Sequence, residues 1–277
     1  MEQLEVNLFR GQSQDLGGKS VFGGQVLGQA LMAATRTIEP DEDGKVGVAH
    51  SLHAYFLRPG DMEAPIVYDV ERIRDGRTFH VRRVKAIQHG RPILMMMCSF
   101  QEPEDGLEHQ SIMPSVTPPE ELVDDAELRQ EWAKDCPESF RERYLRPLAI
   151  EFRHVKPRNL FRPEVSEPQQ NIWFRAAGRL PDDPVLHRCV LTYATDFNLL
   201  STAMLPHGVS YLKPKMVVAS LDHALYFHHD ARADDWLLYS MDSPASQGAR
   251  GLSRGNIFNR DGLLVASVAQ ESLMRKV

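Results

Sequence analysis

The sequence predicts an α+β fold in which two antiparallel sheets each wrap around a long central helix. Three observations lead there. Two helical stretches, one starting at Gly23-Gly24 and one over residues 189–205, are almost free of charge. Alternating, strand-like runs follow each of them. Ordered markers recur in both halves: Val48-Ala49 before His53-Ala54, and Val218-Ala219 before His223-Ala224 at the same spacing. Tyr55-Phe56 and Tyr226-Phe227 come next, then Gly76 and Gly90, matched by Gly248 and Gly262 with the same 14-residue separation. A duplicated unit explains that shared order.

Each element follows from its local pattern. No charge lies between Lys19 and Arg36, and Val26, Leu27, Ala30, Leu31, Ala34 and Ile38 keep helical spacing. The second apolar stretch stops at Pro206 and carries one charge, Asp196. Helices apolar around their circumference are buried on most sides. Ile66, Tyr68 and Val70 alternate with Val67, Asp69 and Glu71 as in a half-buried strand. Gln88-His89-Gly90-Arg91 and Asn259-Arg260-Asp261-Gly262 are hairpin signals that lead into strands over 93–100 and 263–274. Residues 102–145 differ, being rich in prolines and acids. There Thr117-Pro118-Pro119-Glu120 reads as a helix start, with Thr as the cap, and 122–128 as its polar continuation. The division is an N-terminal unit over 1–103, a charged linker with a helix over 104–148, and a C-terminal unit over 149–277.

Composition narrows the function classes. The chain has 277 residues, 42% hydrophobic and 25% charged, as in an ordinary globular protein. With 32 basic and 38 acidic side chains and no Lys/Arg block, a nucleic-acid binder is not expected. No window reaches the ~18–20 apolar residues of a membrane span. The start, Met1-Glu2-Gln3-Leu4-Glu5-Val6-Asn7, is no secretory signal, and Arg275-Lys276-Val277 is no peroxisomal address. Cys98, Cys136 and Cys189 lack metal-type spacing and read as reduced core thiols, so a cytoplasmic location is expected.

Three polar side chains stand out in apolar surroundings. Asp196 lies on the second helix, Ser220 in the strand-like run Met216-Val217-Val218-Ala219-Ser220-Leu221, and Gln270 in Val265-Ala266-Ser267-Val268-Ala269-Gln270. A buried carboxylate without partners costs several kcal/mol. A structural cap and a reactive acid are both compatible with Asp196 at this stage, and satisfied core polar groups are the common role for a Ser or Gln so placed.

The sequence resembles the acyl-CoA thioesterase II family. The resemblance is carried by Phe9-Arg10-Gly11-Gln12-Ser13, by Val21-Phe22-Gly23-Gly24-Gln25-Val26-Leu27-Gly28-Gln29-Ala30-Leu31 and by Phe56-Leu57-Arg58-Pro59-Gly60-Asp61. In the second half it is carried by Tyr193-Ala194-Thr195-Asp196-Phe197-Asn198, Leu221-Asp222-His223-Ala224 and Ala266-Ser267-Val268-Ala269-Gln270-Glu271. It implies a double hotdog, each half a sheet around a long helix, and hydrolysis of fatty acyl-CoA to free acid and CoA. It places the family's Asp–Ser/Thr–Gln catalytic set on Asp196, Ser220 and Gln270. Bacterial members carry Thr at the middle position, so Ser220 is a departure that still supplies one hydroxyl.

The mechanism so implied needs neither metal nor cofactor. Asp196 serves as base or orienter of a water, and Ser220 and Gln270 hold that water by hydrogen bonds. An oxyanion needs N–H donors in place, and Gly23-Gly24 at a helix start is the candidate, with tight helix packing as the competing role. Arg58, Arg77, Arg82, Arg83, Arg250 and Arg254 fall near strand ends, and Arg58, Arg77 and Arg250 are the candidates for the CoA phosphates. The first helix has no acid, so one site per chain is expected, in the second half or at the junction. A homodimer or homotetramer is expected from the family.

Rival readings are a hotdog-fold enoyl-CoA hydratase and a non-catalytic acyl-CoA-binding module. A hydratase pairs Asp with a nearby His, and none follows Asp196 before His207. Gly251-Leu252-Ser253-Arg254-Gly255 matches a nucleophile elbow, but no His follows His229 and the match lies in a strand pattern. His223, His228, His229 and Asp230 suggest a metal site only weakly, since adjacent strand residues face opposite ways.

Overall fold

The computed structural model describes residues 1–16, 18–40, 44–212 and 216–277. Strands β1 (Glu2–Glu5) and β2 (Leu8–Gly11) precede helix α1 (Gly23–Thr35). Strands β3 (Val48–Phe56), β4 (Ile66–Asp75), β5 (Phe79–Gln88) and β6 (Arg91–Gln101) complete the first half. Helices α2 (Asp125–Trp132) and α3 (Glu138–Tyr144) lie in the connector. The second half begins with β7 (Ile150–His154), β8 (Gln169–Ala176), α4 (Pro184–Thr195) and α5 (Leu199–Met204). It continues with β9 (Met216–Ser220), β10 (Asp222–Phe227), β11 (Leu237–Gln247), β12 (Arg250–Phe258) and β13 (Leu264–Lys276).

The duplication is written in the strand order. One half reads β2-β4-β5-β6-β3 and the other, reversed, β8-β11-β12-β13-β10. The two meet where β3 pairs antiparallel with β10, Leu52 opposite Leu225, so the two sheets run on into one. Every described pairing is antiparallel. The predicted hairpins form. His89 (φ 48°) and Gly90 (φ 71°) make the β5–β6 turn, and Gly262 (φ 85°) closes the β12–β13 turn. Two left-handed residues in a row suit the right-handed strand twist. Asn259 Oδ1 secures the second turn by accepting from the N–H groups of Asp261 and Leu263.

The repeated histidines differ from their sequence match. His53 is exposed on β3, whereas His223 on β10 is 1% exposed. Side chains on a strand alternate faces, so an odd offset between the halves turns one histidine outward and the other inward.

Helix α1 is enclosed as its composition predicts, with Val26, Leu27, Ala30, Leu31, Ala33 and Ala34 all buried. Burying a leucine such as Leu27 stabilises the fold by about 1.5–3 kcal/mol. Gly24 and Gly28 let α1 lie directly on α4. A Cβ at Gly28 would stand 2.8 Å from the Cys189 carbonyl oxygen, and one at Gly24 would overlap that of Tyr193.

The second long helix is not continuous. Helix α4 ends at Thr195, and α5 begins at Leu199 after Asn198 takes a left-handed φ of 70°. Gln170 Nε2 donates to the Asn198 carbonyl at 2.9 Å and holds the break. The connector helix starts later than expected, at Asp125. Asp124 caps it by accepting from the Ala126 N–H at 2.7 Å, and Pro119–Glu121 form only a short 3-10 turn. Proline suits such a first turn, but an acceptor side chain at the cap decides where the helix begins. The connector also covers one face of the second half: Met113, Val116 and Leu122 pack on Trp173, Trp236, Leu238, Phe258 and Leu264. Among the described residues no helix is long and apolar enough to cross a membrane.

Candidate active site

The helix break sets the chemistry. Because α4 stops at Thr195, Asp196 occupies the cap position, and its carboxylate projects beyond the helix into the seam between the halves. Oδ2 accepts the backbone N–H of Gly24, in the first turn of α1, at 2.8 Å. Oδ1 accepts the Ser220 hydroxyl at 3.2 Å. Gln270 Nε2 donates to Ser220 Oγ at 3.0 Å. The three residues singled out from sequence therefore form one connected cluster from three elements.

Ser220 ends β9, an edge strand with exposed Val217, and the chain kinks at Leu221 before entering β10. The Leu221 N–H reaches the Glu271 carbonyl at 2.9 Å, and the Leu221 carbonyl accepts from Phe56 N–H at 3.0 Å. That kink fastens Ser220 beside Gln270 on one side and beside the first half on the other.

Asp196 is 9% exposed. Burial penalises its charged form and pushes its pKa up to about 7, against the hydrogen bonds of Ser220, Gly24 and Gln270, which favour the carboxylate. Such a group holds and releases a proton near neutral pH, the property of an effective general base.

Both glycines lie against the carboxylate. The Gly24 N–H is engaged by the Asp196 carboxylate, so it steadies the acid and does not stand open for an oxyanion. A Cβ at Gly23 would lie 2.7 Å from Asp196 Oδ2 and 2.7 Å from the Phe56 ring, so this residue leaves room beside the carboxylate. Aromatic rings crowd the same seam: Phe22 sits 4.3 Å from Phe197 and 5.4 Å from Tyr193, centroid to centroid. A cavity of about 390 Å³ opens along α1 and α4, lined by Gln25, Gln29, Val190 and Tyr193 among others.

The arginines divide. Arg82 is buried and bound to Thr37 and Asp75, and Arg83 pairs with Glu71. Arg250 pairs with Glu271 at 2.8 Å and Arg254 with Asp242 at 2.5 Å. Arg58 and Arg77 make no ion pair among the described residues. Arg58 donates to the Pro92 carbonyl at 2.7 Å, and Arg77 lines a separate cavity of about 660 Å³ with Lys45, Arg72 and His80.

Two further members of the cluster escaped the sequence reading. His223 Nδ1 lies 2.7 Å from Gln270 Oε1, and its Nε2 lies 3.0 Å from Thr195 Oγ1. The signal was present: Thr195 adjoins Asp196, and His223 follows Ser220 by three positions. Ser253 of the elbow-like pattern is 2% exposed inside β12 and donates to the Leu199 carbonyl at 2.8 Å, so it is a satisfied core hydroxyl.

Two helix-wrapping antiparallel sheets fused across β3 and β10 are a double hotdog. A conserved protein of Alicyclobacillus acidocaldarius described as having the hot dog fold superposes with a TM-score of 0.78 at 17% identity, covering 99% of this chain and 96% of that one, which speaks to fold alone. Family models place the chain more closely: acyl-CoA thioesterase matches residues 142–273, and acyl-CoA thioesterase N-terminal domain matches 12–101. Acyl-CoA thioesterase 2 of Haemophilus influenzae is 41% identical over 99% of this chain and 94% of its own. The crystal structure of an acyl-CoA thioesterase II from Mycobacterium marinum has a TM-score of 0.79 at 42% identity, covering 100% of this chain and 96% of that one. The chain belongs to the acyl-CoA thioesterase family.

Proposed function

We propose that the chain hydrolyses fatty acyl-CoA thioesters to free acid and CoA, with Asp196, Ser220 and Gln270 as its catalytic residues. Family membership over both halves supports the reaction class. The observation that carries the site is the Asp196 carboxylate itself, held near neutral pKa with one oxygen on Ser220 and the other on Gly24.

A thioester carbonyl has weak resonance stabilisation, so an activated water suffices as nucleophile. Asp196 takes a proton as that water adds to the carbonyl carbon, and returns it to the departing CoA sulfur when the C–S bond breaks. Ser220 and Gln270 hold the water and the carboxylate in line. Water supplies the acid's new oxygen, and the proton count closes without a covalent enzyme intermediate.

Arg58 is the best placed candidate for a CoA phosphate. It follows Phe56, whose ring adjoins Gly23, by two residues and forms no ion pair among the described residues. Arg77 remains a candidate at the second cavity, while Arg250 would have to leave Glu271 first. We read one site per chain. Exposed Tyr55, Met97 and Tyr226 support association into a homodimer or homotetramer, which sedimentation would measure. The net charge of −6 supports the absence of nucleic-acid partners, and three unpaired cysteines fit a cytoplasmic setting.

The test is steady-state release of CoA thiol from a panel of short to long acyl-CoA substrates, with wild type and Asp196→Ala. Turnover confined to the wild type is expected. Equal turnover in a folded Asp196→Ala would overturn the assignment.

A further inference from the structure

The hydrogen bonds of the cluster extend beyond Gln270 into a buried chain that has a direction. An ionised Asp196 only accepts, so the Ser220 hydroxyl donates to it. Ser220 Oγ then receives from Gln270 Nε2. This leaves Gln270 Oε1 as the acceptor that faces His223 Nδ1 at 2.7 Å, so Nδ1 must carry a hydrogen. Burial keeps His223 neutral, pushing its pKa down to about 4. Its Nε2 is therefore bare and faces the Thr195 hydroxyl at 3.0 Å, whose single hydrogen is shared between that nitrogen and the Thr192 carbonyl 2.8 Å away. Thr195 is fully buried, and Tyr239 donates to its carbonyl at 3.0 Å.

The opposite tautomer reverses every step. With hydrogen on Nε2, His223 would donate to Thr195, whose hydroxyl already reaches the Thr192 carbonyl at 2.8 Å, so Thr195 tolerates both tautomers and Gln270 decides between them. The bare Nδ1 would then face Gln270 Oε1, acceptor against acceptor, until the amide flipped. A flipped amide would draw the Ser220 hydrogen to itself and leave Asp196 without that donor. Gln270 and His223 are each 1% exposed, so bulk solvent does not substitute for either partner.

We propose that His223 is a positioning residue of the thioesterase site: its Nδ1–H locks the Gln270 amide with Nε2 toward Ser220. The inference rests on Asp196, Ser220 and Gln270 forming the site. It acts on turnover through the orientation of Ser220 and on CoA binding hardly at all. The exposed His53 of the first half, packed edge-on against Tyr226, has no such part.

The experiment compares His223→Leu and His223→Asn with wild type and Asp196→Ala. Asn carries an amide N–H close to the position of Nδ1, whereas Leu fills the space without a donor. The expected result is a kcat loss of about tenfold to a hundredfold in His223→Leu with KM within about twofold, and most of that loss restored in His223→Asn. A folded His223→Leu with wild-type kcat overturns the proposal, as does an Asn variant no better than Leu. ¹⁵N NMR of the histidine rings in the wild-type protein decides the case if the variants do not fold. A protonated Nδ1 and bare Nε2 at His223 is expected, and the reverse tautomer overturns it. An inactive Asp196→Ala beside a fully active His223→Leu would remove this inference alone. An active Asp196→Ala would remove the site on which it rests.

Discussion

Asp196 Oδ2 accepts the backbone N–H of Gly24 across 172 residues of sequence, which ties the acid of the second half to the helix start of the first. A helix N-terminus favours negative charge, so α1 stabilises the carboxylate that burial disfavours. The proposed site is thus built between the halves, and each half has a separable effect on it.

Gly23 and Gly24 should part company when substituted. The Cβ of Gly23→Ala meets side-chain atoms, of Asp196 and Phe56, so kcat should fall at least about tenfold by displacement of the carboxylate, with a smaller loss of stability than at Gly24. Gly24→Ala meets the Tyr193 backbone carbonyl, and separating the helices should cost about 1–3 kcal/mol. Melting temperature and kcat measured on both variants check the distinction.

Asp196→Asn should cut kcat by about 10²–10⁴-fold and yet make the protein more stable at alkaline pH. The folded pKa of about 7 lies above the ordinary carboxylate value, so wild-type stability is full below that ordinary value and declines as pH rises through 7. The neutral amide escapes this decline. Its melting temperature should exceed the wild type's at pH 8.5 and approach it at pH 4, and the corresponding stability difference reaches at most about 4 kcal/mol.

The same pKa governs the rate. Wild-type kcat/KM should rise with pH, reach half its plateau near 7 and stay level above it, because only the carboxylate accepts the proton of water. A profile with its midpoint at an ordinary carboxylate value would overturn the raised pKa of Asp196, and one that does not change between wild type and Asp196→Asn would exclude Asp196 as the base.

Ser220 and Ser253 should respond oppositely. Ser220→Thr keeps a hydroxyl and should retain activity, and Ser220→Ala should lower kcat by less than loss of Asp196. Ser253→Ala should leave kcat within about twofold, since that hydroxyl serves only the Leu199 carbonyl, at a stability cost of about 1 kcal/mol. Thiol-release rates for the three variants test this.

Asn198 should matter through the backbone. Its φ of 70° is tolerated by Asn and Gly, so Asn198→Gly should be mild, while Asn198→Val should cost about 1–2 kcal/mol and impair turnover by moving Asp196. Circular dichroism melts and kcat on both variants provide the measurement.

Local composition was sufficient for much of this molecule. An uncharged helix such as α1 has to be enclosed, alternation such as Ile66, Tyr68 and Val70 has to make a strand, and Gly90 and Gly262 mark turns that demand a left-handed backbone. The repeat of these signals made the double layout visible, and Asp196, Ser220 and Gln270 were conspicuous as polar groups in apolar runs. Those are short-range properties, encoded within a few residues of where they act.

Other features depend on distant partners. The interruption after Asp196 needs Gln170 from β8, and the inward turn of His223, against the outward turn of its repeat His53, follows from strand register and the kink at Leu221. The engagement of Gly24 by a carboxylate arises only when α1 and α4 lie together, and Glu71, Asp75, Asp242 and Glu271 claim arginines that looked free for phosphate. Hydrophobic pattern is read along the chain, but which donor meets which acceptor is settled by packing, because those pairs close only after the halves have joined.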